Sequence, residues 1–506
     1  MSKRPNIIIF NPDQWRGDVM HHLGNDAAVT PNLDELAATD GISFRNAFVQ
    51  ATVCTPSRCS FMTGWYPHTR GHRTMHYMLR DRDNEPNLLR LLKDNGYLVW
   101  WGGKNDLVAG QEGYEDHADV SFKPHREDYE RWGYAPQVGS HTDDGWRGAP
   151  DSDTFYSFMK GKLDTKDKDI YFDHDWAMIY GALDFIASYD GDQPFCMFLP
   201  IGYPHPPYCV EDPWYSMIDR NKLPARTTLS DWDQKPSLLA GIRDGQHLED
   251  WTEDRWTELR ATYYGMCARV DHQYGLLRDT LKSKGTYDDS AIFIFSDHGD
   301  FTGDYGLVEK TQNTLEDCLS HVPLLIKPPA DRPVTPGVRD QLIELIDFTA
   351  TVFELAQIDP GYWHFGRSLI PLFSDATAHH RDAVFTEGGR LAHEDQASER
   401  ESYHRNGDTG LYSPRIHWQV SEQLPLRHSK AASCRTATHK YIKRYYEQDG
   451  LYDLVVDPME TVNIIDDPAY REVLVELKEK MLDWYMSTCD IVPMDPDSRW
   501  LIQNKE

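Results

Sequence analysis

The sequence predicts an α/β fold: a large, mostly parallel sheet flanked by helices, plus a smaller C-terminal antiparallel sheet with a helix. Three observations predict it. Short apolar runs without polar alternation recur at 6–10, 98–101, 195–199, 291–295 and 322–326. Helical patterns such as 88–92 and 260–281 fall between them, as crossovers between parallel strands require. After Phe373 the pattern changes to short alternating stretches at 439–443 and 451–454, and then to a helix over about 470–485. The chain is therefore divided at 375, with a larger α/β domain over 1–375 and a smaller α+β subdomain over 376–506.

Several of these runs end in polar chemistry. Ile7 to Phe10 form a buried strand that Asn11, Pro12 and Asp13 interrupt, leaving Asp13 and Gln14 at its carboxyl end. Thr30 as N-cap, Pro31 at the first helical position and Asp34 and Glu35 in the first turn then open a helix that Gly41 closes. Gly103 and Lys104 follow the second run, His205 the third, and Ser296-Asp297-His298-Gly299 the fourth. In open α/β sheets the ligand site lies at the carboxyl ends of the strands, so these residues are expected to converge. The stretches 108–169 and 392–430 read as long surface excursions. Their Trp132, Tyr134, Trp146 and Tyr156 read as loop-packing aromatics, with a pocket for a leaving group as the other use. The sequence holds no internal repeat and no low-complexity tract.

Composition excludes several classes. Of 506 residues, 52 are Lys or Arg and 81 Asp or Glu, a net charge of −29, which rules out a dedicated nucleic-acid binder. With 40% hydrophobic and 12% aromatic residues the chain has enough apolar material for a core and is not disordered. The opening apolar run is too short for a signal-peptide core, and no window of about 18 apolar residues occurs. A cytoplasmic protein with no membrane contact is expected. The eight cysteines show no regular spacing and no C-x-x-C pattern, so they are expected to be free thiols.

The most informative stretch runs from Val53 to Gly64. Cys54 stands beside Arg58 just ahead of a helical pattern, and a helix N-terminus and a guanidinium both favour negative charge. Cys54-x-Pro56-x-Arg58 followed by Met62-Thr63-Gly64 resembles the signature of the sulfatase family, within the alkaline phosphatase-like superfamily, at which a cysteine is oxidised to formylglycine. Other landmarks of that family occur in the right order. Asp13-Gln14 and Asp297-His298 resemble its two metal-ligand pairs. Gly103-Lys104, Pro204-His205-x-Pro207 and Lys310 resemble its active-site lysines and histidine loop, and 451–463 resembles its C-terminal subdomain.

The resemblance implies one site. Asp13, Gln14, Asp297, His298 and an oxygen on modified residue 54 would ligate a divalent cation, Ca2+ by its oxygen donors, with Mn2+ as the alternative that a histidine admits. A gem-diol formed from Cys54 would attack sulfur in line, with Arg58, Lys104 and Lys310 offsetting charge and His205 or Lys310 protonating the departing alkoxide. The second hydroxyl would then lose its proton and eject the anion. One departure stands out: Asp106 occupies the place where many sulfatases carry a histidine that serves this second step, so Asp106 is expected at the substrate, and His76 or His72 to take over. The implied substrate is a small aryl, alkyl or sugar sulfate, and the implied maturation partner a formylglycine-generating enzyme. The rivals are a phosphonate monoester or phosphodiester hydrolase on the same scaffold, a silent anion-binding member, and a thiolate hydrolase, which would need a histidine beside Cys54 and no metal. The extended loops and C-terminal helix also permit a homo-oligomer.

Overall fold

The computed structural model describes residues 4–75, 77–80, 85–110, 114–135, 152–311, 313–391, 394 and 428–494. Its strands are β1 (Asn6–Asp13), β2 (Ile42–Phe48), β3 (Leu98–Gly102), β4 (Val120–Phe122), β5 (Met159–Lys162), β6 (Phe195–Pro204), β7 (Tyr208–Val210), β8 (Ser290–Phe295), β9 (His321–Val322), β10 (Leu324–Lys327) and β11 (Gly337–Glu344), then β12 (Val384–Gly388), β13 (Ala431–Arg435), β14 (His439–Arg444) and β15 (Gly450–Asp453). The main sheet has the order β11-β2-β10-β8-β1-β6-β3-β4, with β9 beside β2, and all but β9 and β10 run parallel. Strands β12 to β15 form the separate antiparallel sheet, and β5 and β7 a short parallel ribbon. This is the expected α/β architecture.

β1 sits mid-sheet because both of its faces are apolar. Alternation sends Ile8 and Phe10 into one core, with residues of α4 (His174–Ser188) and α5 (Glu253–Lys284), and Ile7 and Ile9 into the other, with residues of α2 (Cys54–Thr63) and α6 (Ile346–Ala356). Helices α1 (Pro31–Thr39) and α3 (Leu88–Asp94) fill the expected positions. On the small sheet, α7 (Arg471–Thr488) lays Trp484 flat on Phe385, ring centroids 4.6 Å apart. No helix among the described residues is long and apolar enough to cross a membrane.

The structure departs from expectation in physical detail. The run at 322–326 is split at Pro323, which has no N–H to give the ladder. The stretch 108–169 is not wholly irregular, since β4 extends the main sheet. Thr30 does not cap α1 with its side chain, which bonds Asp34 instead. The carboxylate of Asp271, reaching across from α5, accepts from the backbone N–H groups of Asn32 and Leu33. Trp132 and Tyr134 pack on Phe172, the latter stacked at 4.1 Å, so they are half-buried loop aromatics lying against the core.

Candidate active site

Four parallel strands deliver side chains to one end of the sheet. β1 ends on Asp13, β8 leads into Asp297 and His298, β3 into Lys104 and β6 into His205. Helix α2 begins at Cys54, and Arg58 follows one turn later on the same face. Asp13, Cys54, Asp297 and His298 are buried, and each offers a donor atom within 4.8 Å of the others. Cys54 Sγ lies 3.2 Å from His298 Nε2 and 3.7 Å from Asp13 Oδ1.

Arg58 sits behind this group. Its Nη2 is 3.1 Å from Asp13 Oδ2 and 2.9 Å from Asp297 Oδ2, and its Nη1 donates to Asn11 Oδ1 at 2.9 Å. The guanidinium therefore holds the outer oxygens, and acts on a reacting group through the two carboxylates. The inner oxygens, Asp13 Oδ1 and Asp297 Oδ1, lie 3.6 and 3.8 Å from His298 Nε2. Asn11 is spanned by this bond and one from its Nδ2 to the Phe295 carbonyl.

The donor set fits a divalent cation. Two carboxylate oxygens and an imidazole nitrogen converge, a mixed oxygen and nitrogen set suited to Ca2+ or Mn2+. His298 Nδ1 lies 2.9 Å from the Gly299 carbonyl, which only accepts, so Nδ1 carries the hydrogen and Nε2 presents its lone pair inward. Gln14 is less directly placed. Its backbone N–H donates to Asp297 Oδ1 at 3.1 Å, while its amide oxygen accepts from Lys310 Nζ at 2.8 Å and its amide nitrogen donates to Asp300. Its φ of 72° is unusual for a non-glycine residue and turns the chain sharply after Asp13.

Lys104, His205 and Lys310 surround the group. Lys104 Nζ is 2.6 Å from Asp13 Oδ2, 2.9 Å from Asp106 Oδ2 and 3.5 Å from Cys54 Sγ. Burial would raise the Asp13 carboxyl, yet Lys104, His205 and Arg58 hold it well below the usual carboxylate range. Burial and then Asp13 push the Cys54 thiol well above its ordinary value, and burial lowers His298, so the Cys54–His298 pair rests as thiol and neutral imidazole. His205 is pushed down to about 3 by burial first, then by Lys310 and Lys104. Its Nδ1 is 2.7 Å from the Pro206 carbonyl, so the neutral ring presents Nε2, 3.9 Å from Glu309.

The remaining expected residues divide. Burial would raise Asp106, but Lys104 and Arg58 lower it, so it is an ionised counterion of Lys104. His72 does not take over the family histidine's place: its ring is held by the Tyr77 carbonyl at 3.0 Å and Glu85 at 3.1 Å. His76 and Trp146 lie outside the described residues. β8 and α2 bring His298 and Cys54 together across the sheet end, so a histidine stands beside Cys54 although its neighbours in the motif are Arg58 and polar residues. Sequence reasoning also missed Asn11, Asp300, Tyr208 and Glu309. Asp300 accepts from Tyr208 Oη at 2.8 Å, and Glu309 lies 3.2 Å from Lys310 Nζ. The signal for Asn11 was its position as a polar residue inside an apolar strand.

A family model described as Sulfatase matches residues 5–358. The multifunctional alkaline phosphatase superfamily protein PehA of Trinickia caryophylli is 25% identical over 533 residues, covering 96% of this chain and 96% of that protein. Choline-sulfatase of Rhizobium meliloti (strain 1021) is 25% identical, covering 99% of this chain and 91% of that protein. Among solved structures, the phosphonate monoester hydrolase of Agrobacterium radiobacter shares the fold with a TM-score of 0.73 at 24% identity, covering 96% of both chains.

Proposed function

The chain belongs to the sulfatase family, as a sulfuric ester hydrolase, and we propose that its substrate is a sulfate monoester of a small molecule and its nucleophile a formylglycine made from Cys54. The observation that carries this reading is the convergence of Cys54 with Asp13, Asp297 and His298 at the start of α2. A divalent cation, Ca2+ in this reading, would be held by those residues with Gln14, and would supply Lewis acidity at the nucleophile and at the ester oxygens.

The chain's own residues do the rest. Arg58 fixes both metal-facing carboxylates, so the ligands are oriented before anything binds. Lys104 and Lys310 place positive charge beside residue 54 and Gln14, where the charge of a transferring sulfuryl group would lie. His205, neutral with Nε2 free of hydrogen, suits accepting a hydrogen bond at the site, and the Lys310 ammonium suits giving a proton to the leaving oxygen. Asp106 keeps Lys104 charged and in place. All eight cysteines are free, which suits a reducing compartment, and the proposal places the enzyme in the cytoplasm, matured by a formylglycine-generating enzyme.

The test is peptide mass spectrometry across residues 51–58 of protein co-expressed with a formylglycine-generating enzyme. An aldehyde at position 54 supports the reading, and an intact thiol sinks it. A second reading, a phosphonate monoester or phosphodiester hydrolase, is prompted by the name of the Agrobacterium phosphonate monoester hydrolase that shares the fold. Relative kcat/KM on an aryl sulfate and an aryl phosphonate separates the two.

A further inference from the structure

Gln14 is held on every side. Its φ of 72° turns the chain after Asp13, its backbone N–H donates to Asp297 Oδ1 at 3.1 Å, and its carbonyl accepts from Tyr263 Oη at 2.7 Å. At the side chain, Lys310 Nζ donates to Oε1 at 2.8 Å, and Nε2 donates to Asp300 Oδ2. An ammonium can only donate, so the amide oxygen has to face Lys310 and the amide nitrogen Asp300. Lys310 stands close enough to Cys54 and His298 for its charge to act on both, which puts the oxygen on the side of the site.

Asp300 is itself fixed. It is fully buried, and four donors close on its carboxylate: Gln14 Nε2, Tyr208 Oη at 2.8 Å from Oδ2, and the N–H and Oγ1 of Thr302 at 2.5 and 2.7 Å from Oδ1. Burial raises its carboxyl, and the Thr302, Gln14 and Tyr208 donors oppose the rise. Tyr208 Oη in turn accepts from the Glu309 N–H at 2.8 Å, and the Glu309 carboxylate lies 3.2 Å from Lys310 Nζ. One carboxylate therefore holds the Gln14 amide and is tied, through one hydroxyl, to the backbone that carries Lys310.

We infer that Asp300 is a positioning residue: it fixes the Gln14 amide with its oxygen toward the Cys54 centre, and Tyr208 locks Asp300 and the Lys310 segment into one frame. Asp300 touches neither substrate nor cation and acts through Gln14. The inference rests on the reading of Gln14 as a ligand of the divalent cation. An amide oxygen has two lone pairs, and Lys310 takes one of them, so the other is left for the cation. An amide free to rotate would present its NH2 group as often as its oxygen, and a donor beside a cation is repelled.

Ca2+ is the probe, titrated calorimetrically into metal-free protein co-expressed with a formylglycine-generating enzyme: wild type, Asp300→Asn, Gln14→Glu and the two substitutions together. Thr302 donates twice to Oδ1, so the amide nitrogen of Asp300→Asn falls at Gln14 and turns the Gln14 oxygen away from the cation. The expected loss of Ca2+ affinity is about ten- to hundredfold, the usual cost of removing a group that orients a metal ligand. Gln14→Glu alone sets two carboxylates against each other and is expected to gain no affinity. In the double variant a donor at 300 again meets an acceptor at 14, whose other oxygen still faces Lys310, and affinity returns close to the wild-type value. A merely structural Asp300 would lower the melting temperature of the metal-free protein and leave Ca2+ affinity unmoved. If Asp300→Asn fails to fold, Tyr208→Phe replaces it, removing a donor from Asp300, and is expected to weaken Ca2+ severalfold. Wild-type affinity in every variant that folds, or a loss that the double variant does not recover, overturns the inference while the metal reading stands. A wild-type protein that binds no Ca2+ overturns both.

Discussion

Two buried clusters of opposite charge sit at different places in this molecule, and only one of them resembles a site. Between the two sheets, Lys440 of β14 is 2.8 Å from Asp317 and 2.6 Å from Glu460, and Arg435 closes on Asp317 at 2.9 Å. Every carboxylate there meets a cation or a backbone N–H, as Glu460 does with Asp317. At the strand ends Arg58 likewise holds the outer oxygens of Asp13 and Asp297, and the Gln14 N–H reaches Asp297 Oδ1, but the inner oxygens converge with His298 Nε2 and Cys54 Sγ. Burial of charge is therefore common to a structural clasp and to a catalytic centre. Ligand atoms of four side chains, two carboxylates, an imidazole and a thiol, turned toward one point are what separates the two.

The sharpest way to break this contrast is to remove the nucleophile. Cys54→Ala is expected to lower kcat/KM by at least about a thousandfold while changing the melting temperature little, since a small buried side chain leaves without stranding a charge. Retention of a tenth of the activity would mean that residue 54 is no nucleophile. Chelation probes the same centre. Dialysis against EDTA is expected to abolish turnover and lower the melting temperature, and Ca2+ to restore both, because a ligand of the native state alone stabilises it by mass action. A thiolate hydrolase built on the Cys54–His298 pair would ignore the chelator.

The clasp makes the opposite prediction. Lys440→Met leaves Asp317 with Arg435 alone and Glu460 without its ammonium, and is expected to cost about 3 kcal/mol of stability, as breaking a buried pair does. Turnover per folded molecule should stay at the wild-type value. A fall in kcat without loss of stability, measured by denaturant titration beside steady-state rates, would show that the clasp acts on the site.

Much of this contrast was legible in the sequence, and the illegible part has a common cause. Asp13, Lys104, Asp297 and His298 were readable because each ends an apolar run, so the parallel strands had to carry them to one end. Cys54 and Arg58 were readable from their motif and from the helix pattern behind it. What could not be read was direction. A guanidinium in that motif can face a substrate or the carboxylates behind it, and only the packing of Asn11 against Phe295 and Arg58 shows the second. The edge strand β11 and its neighbour β2 were missed because Arg45, Asn46, Asp340 and Gln341 give them the polarity of loops. Capping of α1 by Asp271 joins residues far apart in the chain, which local signals do not report.

The smallest effect lies in pH, and it separates a site histidine from a core one. His205 at the strand ends and His428 just before β13 are both pushed down to about 3, His205 by burial and then Lys310 and Lys104, His428 by burial and then Arg390. An unfolded histidine titrates near pH 6.5. Between that pH and about 3 the unfolded chain binds a proton that each native histidine refuses, so stability is fully present above 6.5 and is lost as pH falls through this window. Replacing either residue by glutamine should remove up to about 1.4 kcal/mol per pH unit of that slope, read from denaturant midpoints at successive pH values. The two variants should then part in kinetics: His428→Gln keeps kcat, whereas His205→Gln lowers it, because only His205 presents its free nitrogen beside Lys310 and Glu309. If both variants flatten the stability profile and neither changes kcat, His205 belongs with the clasp, as a group that the fold merely tolerates uncharged.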